Sequence, residues 1–358
     1  MQFQLSRVIL MAGFILQSIL LSSQPLSDSL AICGNELCCN NDPTPAGVMI
    51  SHVHKKNEWM ISYRYMNMTM DGLLSGTEKM NADAVFVNYL MVPDKMRMDM
   101  HMLMAMYGLS NKVTVMAMFH YNVLAMDMLM FDSGGGHVHP GATGSMNHVM
   151  KTSGISDIKL HALFALLKKQ RHQLLLSGGI NIPSGSIQVK GSKDEMMFPN
   201  QRYPYSMQLG SGTWDLQPGI NYLYQKGKLT FSTQLNSVIR VGYNTVGYKL
   251  GDEVSANSWM AYQWHRVFGT TLRAEAAATG RMDGYDKNLY YFSEPSANPF
   301  NYGGKRINCY MGAVLQFKKG ILKKQRLGFE YGVPVYQYVN GIQMSQKQSL
   351  IAAWSIAF

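Results

Sequence analysis

"MRMDMHMLMAM", residues 96–106, carries methionine at every second position six times running. A repeat of two is the side-chain period of a β-strand and matches no helix. All six thioethers therefore share one face of one strand. The other face holds Arg97, Asp99, His101, Leu103 and Ala105, and Tyr107 follows. That face changes from charged to apolar along its length. A strand of a soluble sandwich has no cause to change in that way; a strand passing from water into lipid does.

The flanking runs repeat the pattern. In "NEWMISYRYMNMTM" (57–70), Trp59, Ile61, Tyr63 and Tyr65 share one face, and Met60, Ser62, Arg64, Met66, Met68 and Met70 the other. In "VTVMAMFHYNVLAMDMLM" (113–130), Val113, Val115, Ala117, Phe119 and Tyr121 oppose Thr114, Met116, Met118, His120 and Asn122; Met126, Met128 and Met130 continue the methionine row. Aromatic residues outside and polar residues inside are the pattern of a membrane barrel strand. The thioethers lie on the side of Arg64, His120 and Asn122, so that side is expected to be the lumen.

Alternating runs of this kind recur to the end of the chain. The expected fold is all-β: a transmembrane antiparallel up-and-down β-barrel of about 12 strands. The segment 80–92 is the exception, read as a short helix or an inward-folded loop. Short connections at 109–112, 168–171, 226–227, 265–266 and 318–324 alternate with long ones at 131–153, 184–208 and 281–305. That matches short periplasmic turns and long outer loops. The closing stretch "SLIAAWSIAF" puts Trp354, Ile356 and Phe358 on one face. A terminal aromatic of this type is the expected signal to the outer-membrane assembly machinery.

Composition agrees. Charged residues make up 15% of the 358-residue chain, against about 25% in soluble domains. The net charge of +10 comes mostly from turn clusters such as "LKKQRH" (167–172) and "LKKQR" (322–326). No nucleic-acid motif accompanies it, so no nucleic-acid partner is expected. Arg7, the apolar "VILMAGFILQSILL" (8–21) and the small residues of "SLA" (29–31) make residues 1–31 an expected signal peptide, with Ser22 or Ser23 as alternative cleavage points. No later run of about 18 apolar residues suggests a spanning helix. Residues 32–56 are then expected as a periplasmic N-terminal segment and 57–358 as the barrel. The bacterial outer membrane is the expected location. Cys33, Cys38 and Cys39 cluster near the new N-terminus, where one local disulfide is the default in an oxidising compartment. A copper-binding tail with His52 and His54 is the alternative.

Several stretches resemble a family of outer-membrane transporters associated with the meta-pathway of phenol degradation. They are "SHVHKKNEWMISYRYMNMTMDG" (51–72), "MRMDMHMLMAMYGLSNKVTVMAMFHY" (96–121), "GISDIKL" (154–160), "INIPSGSI" (180–187), "YPYSMQLGSGTWDLQPGINYL" (203–223) and "RLGFEYGVPVYQ" (326–337). "SDIKL" and "MQLGSGTWDL" are the distinctive phrases. The resemblance implies an outer-membrane β-barrel with a transport role. It brings no catalytic or binding residues, and the cysteine cluster has no counterpart in its pattern.

The residues offer a solute class. Thioether sulfur is a soft ligand suited to Cu(I) and related ions. Methionines two apart on adjacent strands meet across the ladder at roughly 4.5–5.5 Å between Cβ atoms. The candidate metal residues are Met66, Met68, Met98, Met100, Met102, Met104, Met116, Met118, His120, Met126 and Met128, with His101 at the mouth but on the opposite face. No resident cofactor is required; Cu(I) or another soft metal is expected as a transported or bound ion. Passage of hydrophobic or aromatic compounds is the alternative, and methionine as mere filler of a packed lumen the second. An enzyme is not expected: His161, after Asp157 and near serines, has no catalytic spacing. Outer-membrane lipid and a small solute complete the expected partners.

Overall fold

The computed structural model describes residues 43–130, 148–169, 171–192, 200–317 and 319–358. The expected signal peptide and Cys33, Cys38 and Cys39 lie outside the described residues. In the first half the strands are β1 (Trp59–Gly76), β2 (Glu78–Met80), β3 (Met91–Ser110), β4 (Val113–Met130), β5 (His148–Ile155), β6 (Ile158–Lys168), β7 (His172–Ile182) and β8 (Trp214–Leu216). They continue as β9 (Gly219–Lys226), β10 (Leu229–Val241), β11 (Tyr248–Lys249), β12 (Glu253–Gln263), β13 (Phe268–Thr279), β14 (Asp283–Gly284), β15 (Gly304–Gln316) and β16 (Gln325–Ala357).

Eleven of these close into an antiparallel barrel: β1, β3, β4, β6, β7, β9, β10, β12, β13, β15 and β16, which returns to β1. Pairings β7–β9 and β10–β12 complete the ring. Three strands join the same sheet from outside it: β2 on β1, β5 on β4, and β8 between β7 and β10. β11 and β14 form a separate ribbon. No helix among the described residues is long and apolar enough to cross a membrane.

The last strand explains how eleven continuous strands match an expectation of about twelve. β16 has 33 residues, which fully extended would span roughly 110 Å. Its residues 326–339 pair with β15 and its residues 342–357 with β1. Between them Gly341 takes φ +63°, a left-handed conformation that glycine supplies in tight hairpin connections. Gln346 N donates to Gln337 Oε1 (2.9 Å) and Tyr331 OH to Gln348 Oε1 (3.2 Å), bonds that cross between the two limbs. β16 therefore folds back on itself and supplies two passes of the wall. The turn lies at the long-loop end, so the alternation of long and short connections is broken there.

Other departures have local causes. The strand expected over 154–167 is β6, and the connection expected over 131–153 ends in a further strand, β5; both pair with β4. The chain bends at Asp157, whose carboxylate accepts from Gly185 N (2.9 Å), Ser211 N (2.9 Å) and Asn181 Nδ2 (2.9 Å). The strand expected over 209–225 breaks before Pro218, which has no N–H for the ladder. Segment 80–92 does contain a short helix, α1 (Ala82–Phe86), whose Val85 and Phe86 pack on Leu73, Val92 and Leu129.

Sidedness follows from burial. Met118 is 2% exposed and its neighbour Phe119 is 46% exposed. The outward face carries Trp59, Ile61, Tyr63, Leu103, Phe231, Leu272, Phe329 and many more exposed apolar side chains around the ring. An apolar surface of that extent suits hydrocarbon and not water. The thioethers face the interior, as the alternation requires.

Candidate functional site: a methionine wall and a lumen strap

The register builds the inner wall row by row. Starting from the short-turn end, Met60 pairs with Met106, which pairs with Met116. The rows above are Ser62–Met104–Met118, Arg64–Met102–His120, Met66–Met100–Asn122, Met68–Met98–Leu124 and Met70–Met96–Met126. β5 extends the last row with Met150, and β6 extends the second with Lys159. The sequence thus gives a continuous thioether wall on β1, β3, β4 and β5. The inward faces of β9 to β16 are mostly polar: Asn221, Ser232, Gln234, Thr271, Arg273, Asn308, Glu330 and Ser349 are buried there.

The wall divides into three levels. At the short-turn end Met102, Met104, Met106, Met116 and Met118 are buried in one cluster with Val53. At the loop end Met91, Met96, Met126, Met128, Met130 and Met150 form a second, capped by Tyr203 and Met207. Between them Met66, Met68, Met98 and Met100 are only half-buried. The middle level is thus the least buried part of the wall, with Met100 packed on the lower cluster, Met98 on the upper one and Met66 beside Tyr310 and Ile351.

Electrostatics separates the same levels. Arg64 shares a row with Met102 and His120, and Lys159 shares one with Met118. Two fixed cations beside the lower cluster oppose a third. His120 is also engaged, with its Nδ1 3.3 Å from the Asp157 carbonyl oxygen. Of the candidate metal residues, Met102, Met104, Met116, Met118 and His120 thus sit in an unfavourable setting. Among the described residues, no three His, Cys, Asp or Glu side chains gather as a metal site. His101 faces outward, its Nδ1 2.7 Å from Tyr63 OH, and sits among Tyr65 and Tyr121. It belongs to the outer aromatic surface. Beside it Asp99 is closed in by Tyr65 OH (2.6 Å), Asn67 Nδ2 (2.7 Å) and Arg97 Nε (2.7 Å).

A feature that sequence periodicity missed crosses the lumen. Residues 43–56, the described part of the segment expected to stand in the periplasm, make their contacts with inward side chains of the barrel. His54 N donates to Thr114 Oγ1 (2.8 Å), and Arg64 Nη2 to Val48 O (3.1 Å). Asn221 Nδ2 donates to Ile50 O (3.1 Å), as does Gln234 Nε2. Gly47 N donates to Glu330 Oε2, while Arg273 Nε donates to Glu330 Oε1 (3.0 Å). Val48 packs with Trp259 and Leu223, and Ala46 with Tyr310 and Ile351. Arg64, Asn221, Gln234, Arg273 and Glu330 each stand about five residues in from the short-turn end of their strands. The strap therefore lies across the barrel like a bar rather than along it. Its one legible sign was polar residues at inward positions spread over many strands: buried polar groups need partners, and the strap backbone supplies them.

At the other end the long connections fold over the mouth. Tyr205 OH accepts from Asp286 N (2.9 Å), and Arg202 Nη1 donates to Asp286 Oδ2 (2.5 Å). Burial pushes the Tyr205 phenol up to about 12. Glu294 is fully enclosed; burial pushes its carboxyl up to about 7, against the opposing hydrogen bond from Ser296 Oγ (2.6 Å).

No family model matches the chain, and no curated protein matches it. Among solved structures it is similar to an outer-membrane channel from Pseudomonas putida F1, with a TM-score of 0.56 and 14% identity over 85% of this chain and 96% of that one. It also matches the β-domain of the Bordetella autotransporter BrkA (TM-score 0.43, 9% identity, 85% and 100% covered). A third match is a Pseudomonas aeruginosa FadL homologue (TM-score 0.40, 10% identity, 85% and 90% covered). The likeness to the Pseudomonas putida channel is one of fold: a closed antiparallel barrel of the outer-membrane type.

Proposed function

We propose that this barrel is an outer-membrane channel for small solutes, restricted by its own N-terminal strap, and that soft monovalent metal ions are the solute class. One observation carries the reading. Met66, Met68, Met98 and Met100 pair across β1 and β3 on the inner face and remain half-buried, above the strap and below the loop cap. Repeated thioethers at cross-strand spacing bind a soft cation weakly and several times over, and conduction needs sites loose enough to release. A hard ion such as Mg²⁺ gains nothing from sulfur.

The strap gives the channel a means of closing. Its backbone is held by side chains from opposite sides of the ring, and these bonds can be exchanged for water without unfolding the wall. The outer-membrane location rests on the apolar outward face and on the barrel fold.

A second reading has its own support. The lower methionine cluster is buried and apolar, and a hydrophobic or aromatic solute would find its lining compatible. This agrees with the resemblance to transporters linked to phenol degradation. The two readings part on one test: Ag(I) added to the reconstituted protein in nitrate electrolyte. Block of the current that disappears in the Met66→Leu, Met68→Leu, Met98→Leu, Met100→Leu variant supports the metal reading. Current indifferent to Ag(I) but reduced by phenol supports the apolar one.

A further inference from the structure

At the loop end of the barrel a cavity of about 20 Å³ is lined by Met91, His148, Met150, Arg202, Tyr203 and Glu294, with Gln201, Leu289 and Ser293 completing it. That volume suits one ion or one water and nothing larger. Three different parts of the fold bring the donors together. His148 and Met150 are two apart on the inner face of β5, paired to Met128 and Met126. Met91 begins β3. Its N–H donates to Ser293 O (2.8 Å), a backbone bond that sets Glu294 beside it.

Charge is the second observation. Glu294 is 2% exposed, and its hydrogen bond comes from the neutral Ser296 hydroxyl. Among the described residues no ion pair includes Glu294. The cation lining the same cavity, Arg202, is bound to Asp286 and to Gln188 Oε1 (3.0 Å). The arginine and Asp286 cancel, so among the described residues no cation is left to neutralise the buried carboxylate. Such a group takes up a proton or a metal ion.

We propose that Met91, Met150, His148 and Glu294 bind one soft monovalent cation of the Cu(I) or Ag(I) class at the loop end of the barrel. Two thioethers and an imidazole are a soft donor set, and the carboxylate neutralises a single positive charge. Zn(II) gains little there, because thioether replaces the thiolate or additional imidazole it takes. The site rests on the soft-metal reading of the lumen for the ion's onward passage, and not for binding. It lies where an ion would be taken from outside before meeting the half-buried methionines.

The test is competition for Cu(I) between a chromophoric chelator and the detergent-solubilised full chain, with X-ray absorption at the copper edge. One tight equivalent with a mixed sulfur and nitrogen or oxygen shell is expected. Met91→Leu with Met150→Leu keeps side-chain volume and lowers the affinity of that equivalent at least tenfold. Glu294→Gln, a second variant, lowers it by a smaller factor. The quadruple leucine variant of the lumen retains it. Heat-dependent migration on gels confirms that each variant is folded. Wild-type affinity in the Met91→Leu, Met150→Leu variant, or a copper shell without sulfur, overturns the proposal. Because the lumen reading is scored by current block and this one by binding, either can fail alone.

Discussion

Arg273 and Glu330 form an ion pair inside the barrel, Nε to Oε1 at 3.0 Å, with both side chains almost fully buried. The second carboxylate oxygen accepts the Gly47 amide, so the same glutamate holds the wall together and fastens the strap. The guanidinium also lies over the Tyr310 ring, 3.6 Å from its centroid. Arg273 keeps a second ion pair with Glu275 Oε2 (2.9 Å), so losing Glu330 leaves it only partly compensated and costs less than the roughly 3–5 kcal/mol of a fully orphaned buried charge. Glu330→Ala should therefore both destabilise the barrel and raise its conductance. Thermal unfolding and single-channel recordings on the same preparation check the two effects; an unchanged current would detach the strap from gating.

Gly47→Ala isolates the strap from the wall. A Cβ at Gly47 would collide with the Arg273 guanidinium and stand 2.8 Å from Glu330 Oε2. The strap must shift while the ion pair survives. Larger or more frequent openings are expected with little change in thermal stability, and limited proteolysis should cut the strap faster than in the wild type.

The three methionine levels should respond differently to leucine. Met-to-Leu exchange conserves volume and typically costs under about 1.5 kcal/mol. Met104→Leu with Met118→Leu, in the buried lower cluster, should leave silver sensitivity unchanged. The half-buried quartet Met66, Met68, Met98 and Met100 should lose it. Equal loss in both variants would show that sulfur acts through packing and not contact.

Glu294 gives the loop cap a pH dependence. Its folded value is raised from 4.5 to about 7 by burial, so between those values the folded cap holds a proton that the opened one releases. Stability from this group is fully present below about pH 4.5 and declines as pH rises toward 7, because the opened state binds fewer protons. Hydrogen exchange of residues 281–303 in metal-free buffer, corrected for intrinsic rates, should show weaker protection at pH 8 than at pH 5. Glu294→Gln should flatten the difference, and a steeper profile in that variant would contradict the assignment.

Much of this fold could be read from alternation alone. Met96–Met106 set the period, Phe119 and Tyr121 set the outside, and Arg64 and His120 set the inside; all three inferences match the structure because a barrel wall has one dry face and one enclosed face. Breaks in the ladder were not legible, since they depend on partners distant in sequence. Asp157, in "SDIKL", bends the chain by binding Ser211 of "MQLGSGTWDL" through N (2.9 Å) and Oγ (2.8 Å). The two most distinctive phrases in the chain are thus one interaction. The strap escaped for a related reason: residues 43–56 have no period, and their place is fixed by Asn221, Gln234 and Glu330 much further along. Met91 and Met150 give no such signal because they begin and end rows instead of filling them.

The most direct measurement is the current through single reconstituted molecules in potassium nitrate before and after micromolar Ag(I). A small wild-type conductance, interrupted by silver and insensitive to it once Met66, Met68, Met98 and Met100 are leucine, is the predicted result. Silver block that persists in the leucine variant, or a wild-type current that silver never touches, would contradict a sulfur-lined pathway.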